Sequence, residues 1–403
     1  MKKIYVFASM MLAVALNYSC AKMDSPAFPS QDTPTEEAEG TKYLINVGGE
    51  THEVMLIGTF NAEKGANVTF YLEGDANDYY GIEIDGAMTA TGKGLVQETE
   101  GTTTTGIIKV YGNKGLKDLR ITNAYPTETT FKNEWMATLE TLYFTNPFSK
   151  TIVLPETLTK LKELAIRKSE IATIDVSKFT TLEALTINDC KKFASIDVTN
   201  NTNLKNLSLV GDKLKSVDVS KNTKLETLFV NENEIEKLDV TALTALKELN
   251  AGENKLKAID ITKNTKLESL SLKNNQFTIA TLPTMPAGIT AETVDKYSYA
   301  PQAPMEVAKS FKVGETIDLT AQLYAQGVLK NQATTEFKFF DAKGNQLENG
   351  VDYEKTEDTG LVYKFLKAQK EKVVCKMTTE AFPKLEGENE FKTKEFDIVA
   401  AAE

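Results

Sequence analysis

Leucines recur along this chain in a fixed frame. The residues that open a Leu-x-x-Leu pair are Leu116, Leu139, Leu161, Leu182, Leu204, Leu225, Leu246 and Leu267, at steps of 23, 22, 21, 22, 21, 21 and 21 residues. A period this steady identifies a solenoid, in which each turn buries its apolar side only against its neighbours. Within a turn the Leu-x-Leu alternation predicts a strand with one face inward. Stacked turns put Leu164, Leu185, Leu207, Leu228, Leu249 and Leu270 in one buried column, each worth roughly 1.5–3 kcal/mol of transfer free energy. Eight parallel strands at about 4.8 Å span on the order of 40 Å.

The stretch "SVDVSKNTKLETL" at 216–228 returns almost unchanged as "AIDITKNTKLESL" at 258–270. Its first half lies on the return path between strands. Val219 and Ile261, with Val176, Val198 and Val240, are expected to point inward, while Ser220, Thr262 and Asn222 form turns by bonding nearby backbone. The return is too short for a full helix, so short extended or 3₁₀ pieces are expected.

Residues 225–238 show Leu225, Leu228, Val230, Asn233, Ile235 and Leu238, which is L-x-x-L-x-L-x-x-N-x-L. Asn233, Asn254 and Asn275 occupy the ninth place, Cys190 takes it in an earlier repeat, and Ser169 and Asp212 fill it less regularly. Ala124 and Pro147 depart from it. A small hydrogen-bonding side chain there satisfies backbone groups buried where the chain leaves the strand. Residues 116–286 therefore resemble the leucine-rich repeat family. The resemblance implies recognition of a partner on the concave sheet, through the outward third, fifth and seventh places of each repeat.

Those outward residues include Tyr143 and Thr145, Glu163 and Arg167, Thr186 and Asn188, Phe229 and Asn231, Glu248 and Asn250, and Ser271 and Lys273. The candidate partner-binding set is Tyr143, Thr145, Arg167, Asn188, Phe229, Asn231, Glu248, Asn250 and Lys273. Tyr143 and Phe229 are aromatic among polar neighbours, and two readings stand for them: anchors for a partner, or packing against adjacent strands. Asp175, Asp197, Asp218, Asp239 and Asp260 form a further ladder. One carboxylate per turn favours a structural, hydrogen-bonding role over the several ligands that calcium repeats supply.

The flanks read as β-structure. Segments 43–47, 52–60, 67–74, 79–86 and 106–112 alternate with period two, so 41–115 is a small β domain capping the solenoid. Val110 precedes Leu116 by six residues, the step from Val219 to Leu225, so the last strand of this domain is expected to join the solenoid directly. Residues 287–302 read as a connector. Residues 303–403 read as a β-sandwich with a turn from Asp341 to Gln346, resembling the immunoglobulin-like domains of internalin-type and Bacteroidetes surface proteins. Phe339 stands where such a domain would carry a core Trp. The fold class is thus mainly β: a leucine-rich solenoid between two smaller β domains.

At the start, Lys2 and Lys3 precede an apolar run from Ile4 to Leu16, too short to span a bilayer, which marks 1–19 as a signal peptide. The run ends just before Cys20, resembling bacterial lipoproteins and implying a lipid anchor at Cys20. Residues 20–40 hold three prolines and five acids and read as a flexible tether. Ala21, where Asp would favour inner-membrane retention in such lipoproteins, implies the outer membrane. Removing the leader takes the net charge from −11 to −13, which argues against nucleic-acid phosphates as partners. Cys190 and Cys375 are too far apart in sequence to suggest a disulfide framework. His52 is the sole histidine, no cofactor or metal motif is present, and the chain reads as non-enzymatic. Two functions follow: a surface adhesin for a protein partner, or a glycan-binding or envelope-organising lipoprotein.

Overall fold

A computed structural model describes residues 42–401 apart from 114, 127–136, 148–149, 326–332 and 357–360. The expected signal peptide and tether, with Cys20, lie outside the described residues. The N-terminal part contains β1 (Lys42–Val47), β2 (Glu50–Ala62), β3 (Asn67–Glu73), β4 (Tyr79–Ile84), β5 (Ala87–Lys93), β6 (Leu95–Thr102), β7 (Ile107–Gly112), β8 (Asp118–Thr122) and β9 (Ala124–Pro126). Strands β1, β2, β7, β4 and β5 form one antiparallel sheet, with β9 on β2. Strands β5 and β6 have no counterpart in the alternation because "AMTATGK" and "LVQETEGT" are too rich in Thr, Gly and Glu to show a period.

The solenoid follows as β10 (Thr141–Thr145), β11 (Glu163–Arg167), β12 (Ala184–Asn188), β13 (Asn206–Val210), β14 (Thr227–Phe229), β15 (Glu248–Asn250), β16 (Ser269–Ser271) and β17 (Tyr297–Ser298). These strands pair in parallel and in register, so that Leu142, Leu164, Leu185, Leu207, Leu228, Leu249 and Leu270 align as one buried file. The same sheet continues past β10 through β8 to β3 and β6, eleven strands among the described residues. Strand β8 is parallel to β10 and β3 antiparallel to β8. Strand β7 precedes β8, the strand of the first repeat, in sequence but pairs with β2 and β4 in the other sheet, and it is β3 that pairs with β8. Even spacing along the chain cannot distinguish a strand that leads into a sheet from one that belongs to it.

Among the described residues the regular returns are pairs of tight turns, as where Asn222 N–H donates to Val219 O and Leu225 N–H to Asn222 O, both at 3.0 Å. Val176, Val198, Val219 and Val240 are buried, with Ile261 half-buried beside them. Asn222 does more than form a turn. It is fully buried, and its Nδ2 donates to Val198 O (2.9 Å) and Asn201 O (3.0 Å) of the preceding turn; Asn201 and Asn264 repeat the bridge. Each Asp of the ladder accepts at Oδ1 the N–H of the residue two places on, from Ser177, Thr199, Ser220, Thr241 and Thr262, at 2.8–2.9 Å. Hydrogen bonds from those hydroxyls and amides hold the carboxylates below their usual range.

Residues 287–302 are more than a connector. They carry β17 in register with β16, and Gln302 fills the slot that asparagine fills earlier, accepting from Phe277 N–H (3.3 Å) and donating to Leu272 O (2.9 Å). The repeat is disguised because Tyr297 and Tyr299 replace leucines and a 3₁₀ helix, Ala291–Lys296, lengthens the turn. Beyond it, Tyr299 packs on Phe382 with ring centroids 5.3 Å apart. Among the described residues the C-terminal part holds two larger sheets, Thr316–Asp318, Val362–Phe365 and Tyr353–Lys355, and Tyr324–Ala325, Ala333–Asp341, Val373–Thr379 and Phe391–Lys392, with a parallel pair, Ser310–Lys312 and Asp397–Val399, as a third. Phe339 is their buried centre, 4.8–5.3 Å from Tyr353, Tyr363 and Phe365. Asp341 closes the tight turn to Asn345, with Gly344 at φ 87°.

Candidate functional site

The strand pleat sends alternate side chains away from the core, and parallel register gathers them into rows across the sheet. One row runs Tyr71, Arg120, Tyr143, Ala165, Thr186, Ser208, Phe229, Asn250 and Ser271. A second runs Thr141, Glu163, Ala184, Asn206, Thr227, Glu248 and Ser269, with Asp118 and Glu73 at its start. A third runs Thr145, Arg167 and Asn188 to Val210. Asn231 and Lys273 continue it, since their carbonyls accept from Gly211 and Glu253 as Val210 O does from Asp189. All nine expected residues therefore lie on one face. Tyr143, Thr145 and Arg167 come together at one end and Phe229 with Asn250 near the middle. Tyr143 and Phe229 stand four strands apart, roughly 19 Å.

At the N-terminal end the face carries a network that the repeat pattern only half announces. The Arg120 guanidinium lies 5.0 Å from the Tyr71 ring centroid and 4.8 Å from that of Tyr143, between the two rings. It is held by Asp118, with Nε–Oδ1 at 3.0 Å and Nη2–Oδ2 at 2.7 Å. Tyr71 Oη donates to Glu73 at 2.5 Å and Tyr143 Oη to Glu163 at 2.7 Å. Burial first, then these carboxylates, push both phenols up to about 12. Burial also raises the Asp118 carboxyl, with Arg120 opposing it. Tyr143 is thus packed against its neighbours and also presented on the face. Arg120 fills the fifth place of the first repeat and was within reach of the pattern. Tyr71 was not, because it arrives on an antiparallel strand of the preceding domain.

One rim of this face is electrically balanced. The second place of successive repeats reads Lys117, Glu140, Lys162, Glu183, Lys205, Glu226, Lys247 and Glu268. Lys162–Glu140, Lys205–Glu183 and Lys247–Glu226 pair at 2.6–2.7 Å. Exposed pairs stabilise little, but the alternation leaves this rim without a net field. The charge of the face is then decided by Glu73, Asp118, Arg120, Glu163, Arg167, Glu248 and Lys273.

The eighth place follows the strand and forms a column of its own. Asn123, Asn146, Lys168, Asp189, Glu232, Glu253 and Asn274 all have φ of 53–59°, and Gly211 has 72°. This left-handed turn aims the ninth-place side chain inward, at a cost that each repeat meets again. In the ninth place Asn254 Oδ1 accepts from Ile235 N–H (2.9 Å), while its Nδ2 donates to Val230 O, Ala251 O and Gly252 O at 2.9–3.2 Å. Cys190 occupies the same slot as a buried thiol, pushed up to about 12 chiefly by burial. Cys375 is buried opposite Phe339, where burial likewise pushes its thiol up. Neither thiol is expected to react with iodoacetamide at pH 8 in the folded chain, and both should react once denaturant unfolds it. Mass spectrometry of alkylated protein reads this directly.

His52 stacks on Tyr79 at 3.6 Å in the N-terminal sheet, away from the rows described. Among the described residues no group of three His, Cys, Asp or Glu could hold a metal ion, and no helix is long and apolar enough to cross a membrane.

No protein-family model and no curated protein matches this chain. It is similar to a solved leucine-rich repeat protein of Leptospira interrogans, at 23% identity over 48% of this chain and 50% of that one, with a TM-score of 0.37. It is similar to the functional domain of InlJ from Listeria monocytogenes, at 20% identity, 66% and 49% coverage and TM-score 0.36. It is also similar to InlP from Listeria monocytogenes, at 15% identity, 67% and 85% coverage and TM-score 0.38. This chain spans about half the length of the first two.

Proposed function

We propose that this chain is a non-enzymatic surface protein that binds a protein partner on the open face of its solenoid sheet. The Tyr71–Arg120–Tyr143 network supports this reading most directly. Tyr and Arg dominate binding hot spots, and a side chain already immobilised by its neighbours loses little entropy on association. Around it the rows are small and polar, which suits a surface shaped by its partner rather than by the core. In this reading Tyr143, Thr145, Arg167, Asn188, Phe229, Asn231, Glu248, Asn250 and Lys273 contact the partner. Cys20 anchors the chain by lipid in the outer membrane, with the solenoid held outward. The C-terminal sheets serve as an immunoglobulin-like spacer domain.

A second reading is favoured by Phe229. It is half-buried between Ser208 and Asn250, and a ring amid hydroxyl and amide groups suits a glycan. The test is photocrosslinking of the full chain on intact cells, with the probe at Asn188 between the two aromatic positions. Tyr143→Ala and Phe229→Ala should each weaken capture of the crosslinked protein by tenfold or more, about 1.4 kcal/mol, while both variants stay folded at the assay temperature. Capture of polysaccharide instead would select the second reading. A partner bound equally well by both variants would remove the open face from the function.

A further inference from the structure

Asp212 stands in the ninth-place ladder where Asn233, Asn254 and Asn275 stand in the next three repeats, and it is 3% exposed. An asparagine there accepts through Oδ1 and donates through Nδ2 to carbonyls of its own and the preceding turn, as Asn233 does to Leu209 O (2.6 Å), Val230 O (3.1 Å) and Asn231 O (3.2 Å). Asp212 reproduces only the accepting half. Its Oδ1 takes the Cys190 N–H at 2.8 Å, while Oδ2 is buried without a partner among the described residues. An ionised carboxylate has nothing to donate. A protonated one has an O–H where the asparagines carry an N–H.

We propose that Asp212 is a proton-operated link in the middle of the solenoid: neutral, it serves the ladder as an asparagine would, and ionised, it leaves an uncompensated charge that loosens the turns around it. The charged groups near it do not rescue the ionised form. On the preceding turn Asp189 repels it. Lys191 there attracts it, but Lys191 Nζ is shared between Gly211 O (3.0 Å) and Asp189 Oδ1 (3.6 Å). On its own turn Lys213 is drawn 3.6 Å from Glu234. In the next turn the same slot holds the neutral Asn233. Burial, with Asp189 adding to it, pushes the carboxyl up to about 7.

The sign follows from proton binding. A carboxyl raised from about 4 in the unfolded chain to about 7 in the folded one binds more protons when folded, so its contribution is fully present at low pH and is lost as pH rises from about 4 through 7. The loosened element adjoins the open face. Asn188 Oδ1 accepts from Ser208 Oγ and Val210 N–H, both at 3.0 Å, and Val210 leads directly into Gly211 and Asp212.

The experiment is thermal unfolding of the full chain and of Asp212→Asn from pH 5 to pH 8.5, read as the difference between the two midpoints at each pH. Every other titrating group cancels in that difference. The expected result is a gap of several degrees opening in favour of Asp212→Asn as pH rises through neutrality and narrowing toward pH 5. Parallel curves would overturn the proposal. The converse variant, Asn254→Asp, should acquire a midpoint that falls with pH relative to the parent. A flat difference there would equally count against it, whether or not Asp212→Asn folds.

Discussion

Asn254→Ala is expected to destabilise the chain by about 3 kcal/mol, measured as a lowered denaturant midpoint at constant m-value. The substitution leaves the Ile235 N–H without its acceptor, while the carbonyls of Val230, Ala251 and Gly252 each lose one donor and keep another, in Asn233 Nδ2, Asn275 Nδ2 and the Glu232 N–H. One orphaned buried donor costs about 1–3 kcal/mol, and the cavity left by the amide adds to it. The site is closed, so water cannot substitute freely. Asn233, which is half-buried, should cost less on the same replacement because solvent recovers part of the loss. A cost below about 1 kcal/mol for Asn254→Ala would mean that the ladder contributes little beyond filling space.

A second large effect is expected from Gly288→Ala, in the stretch that the repeat pattern leaves unaccounted for. A Cβ at Gly288 would fall against the carbonyl oxygen of Leu267, far inside van der Waals contact. Leu267 opens the last regular repeat and is wholly buried, so it cannot retreat without displacing the file of leucines behind it. The 287–302 turn must move instead, at a cost of about 2–4 kcal/mol. Part of that loss would come from unseating Tyr297, whose Oη donates to Pro283 O at 2.5 Å. Gly252→Ala is the comparison: its Cβ would meet Lys273 and Ser271 at 3.3 Å, which a small shift relieves. Gly288→Ala should therefore lower the unfolding midpoint well below that of Gly252→Ala. Equal midpoints would show that the last turn is not seated on Leu267.

These two positions divide what could be read from what could not. Asn254 announces itself because a ladder repeats: the same residue type recurs at the same place beside the same leucines. Gly288 does not, because its constraint is a single close approach made once. The nine outward residues were legible for the same reason as Asn254. Arg120 lay within the frame and Tyr71 outside it, although in the folded chain they touch the same charge network. Asp212 was visible as an irregular occupant of its slot, but its missing donor shows only beside the bonds that Asn233 and Asn254 make.

The amino-acid sequence by itself determined the solenoid, its inward and outward faces and the chemistry of its ladders. In a stacked array, spacing along the chain is converted directly into contact between neighbours, so a local pattern carries tertiary information. The tertiary structure alone decided that β3 rather than β7 pairs with β8, the strand of the first repeat, that the sheet runs on to β17, and that the eighth place of each repeat turns left-handed. Those outcomes depend on pairings between segments far apart in sequence and on backbone geometry that several residue types adopt. No period along the chain encodes either of them.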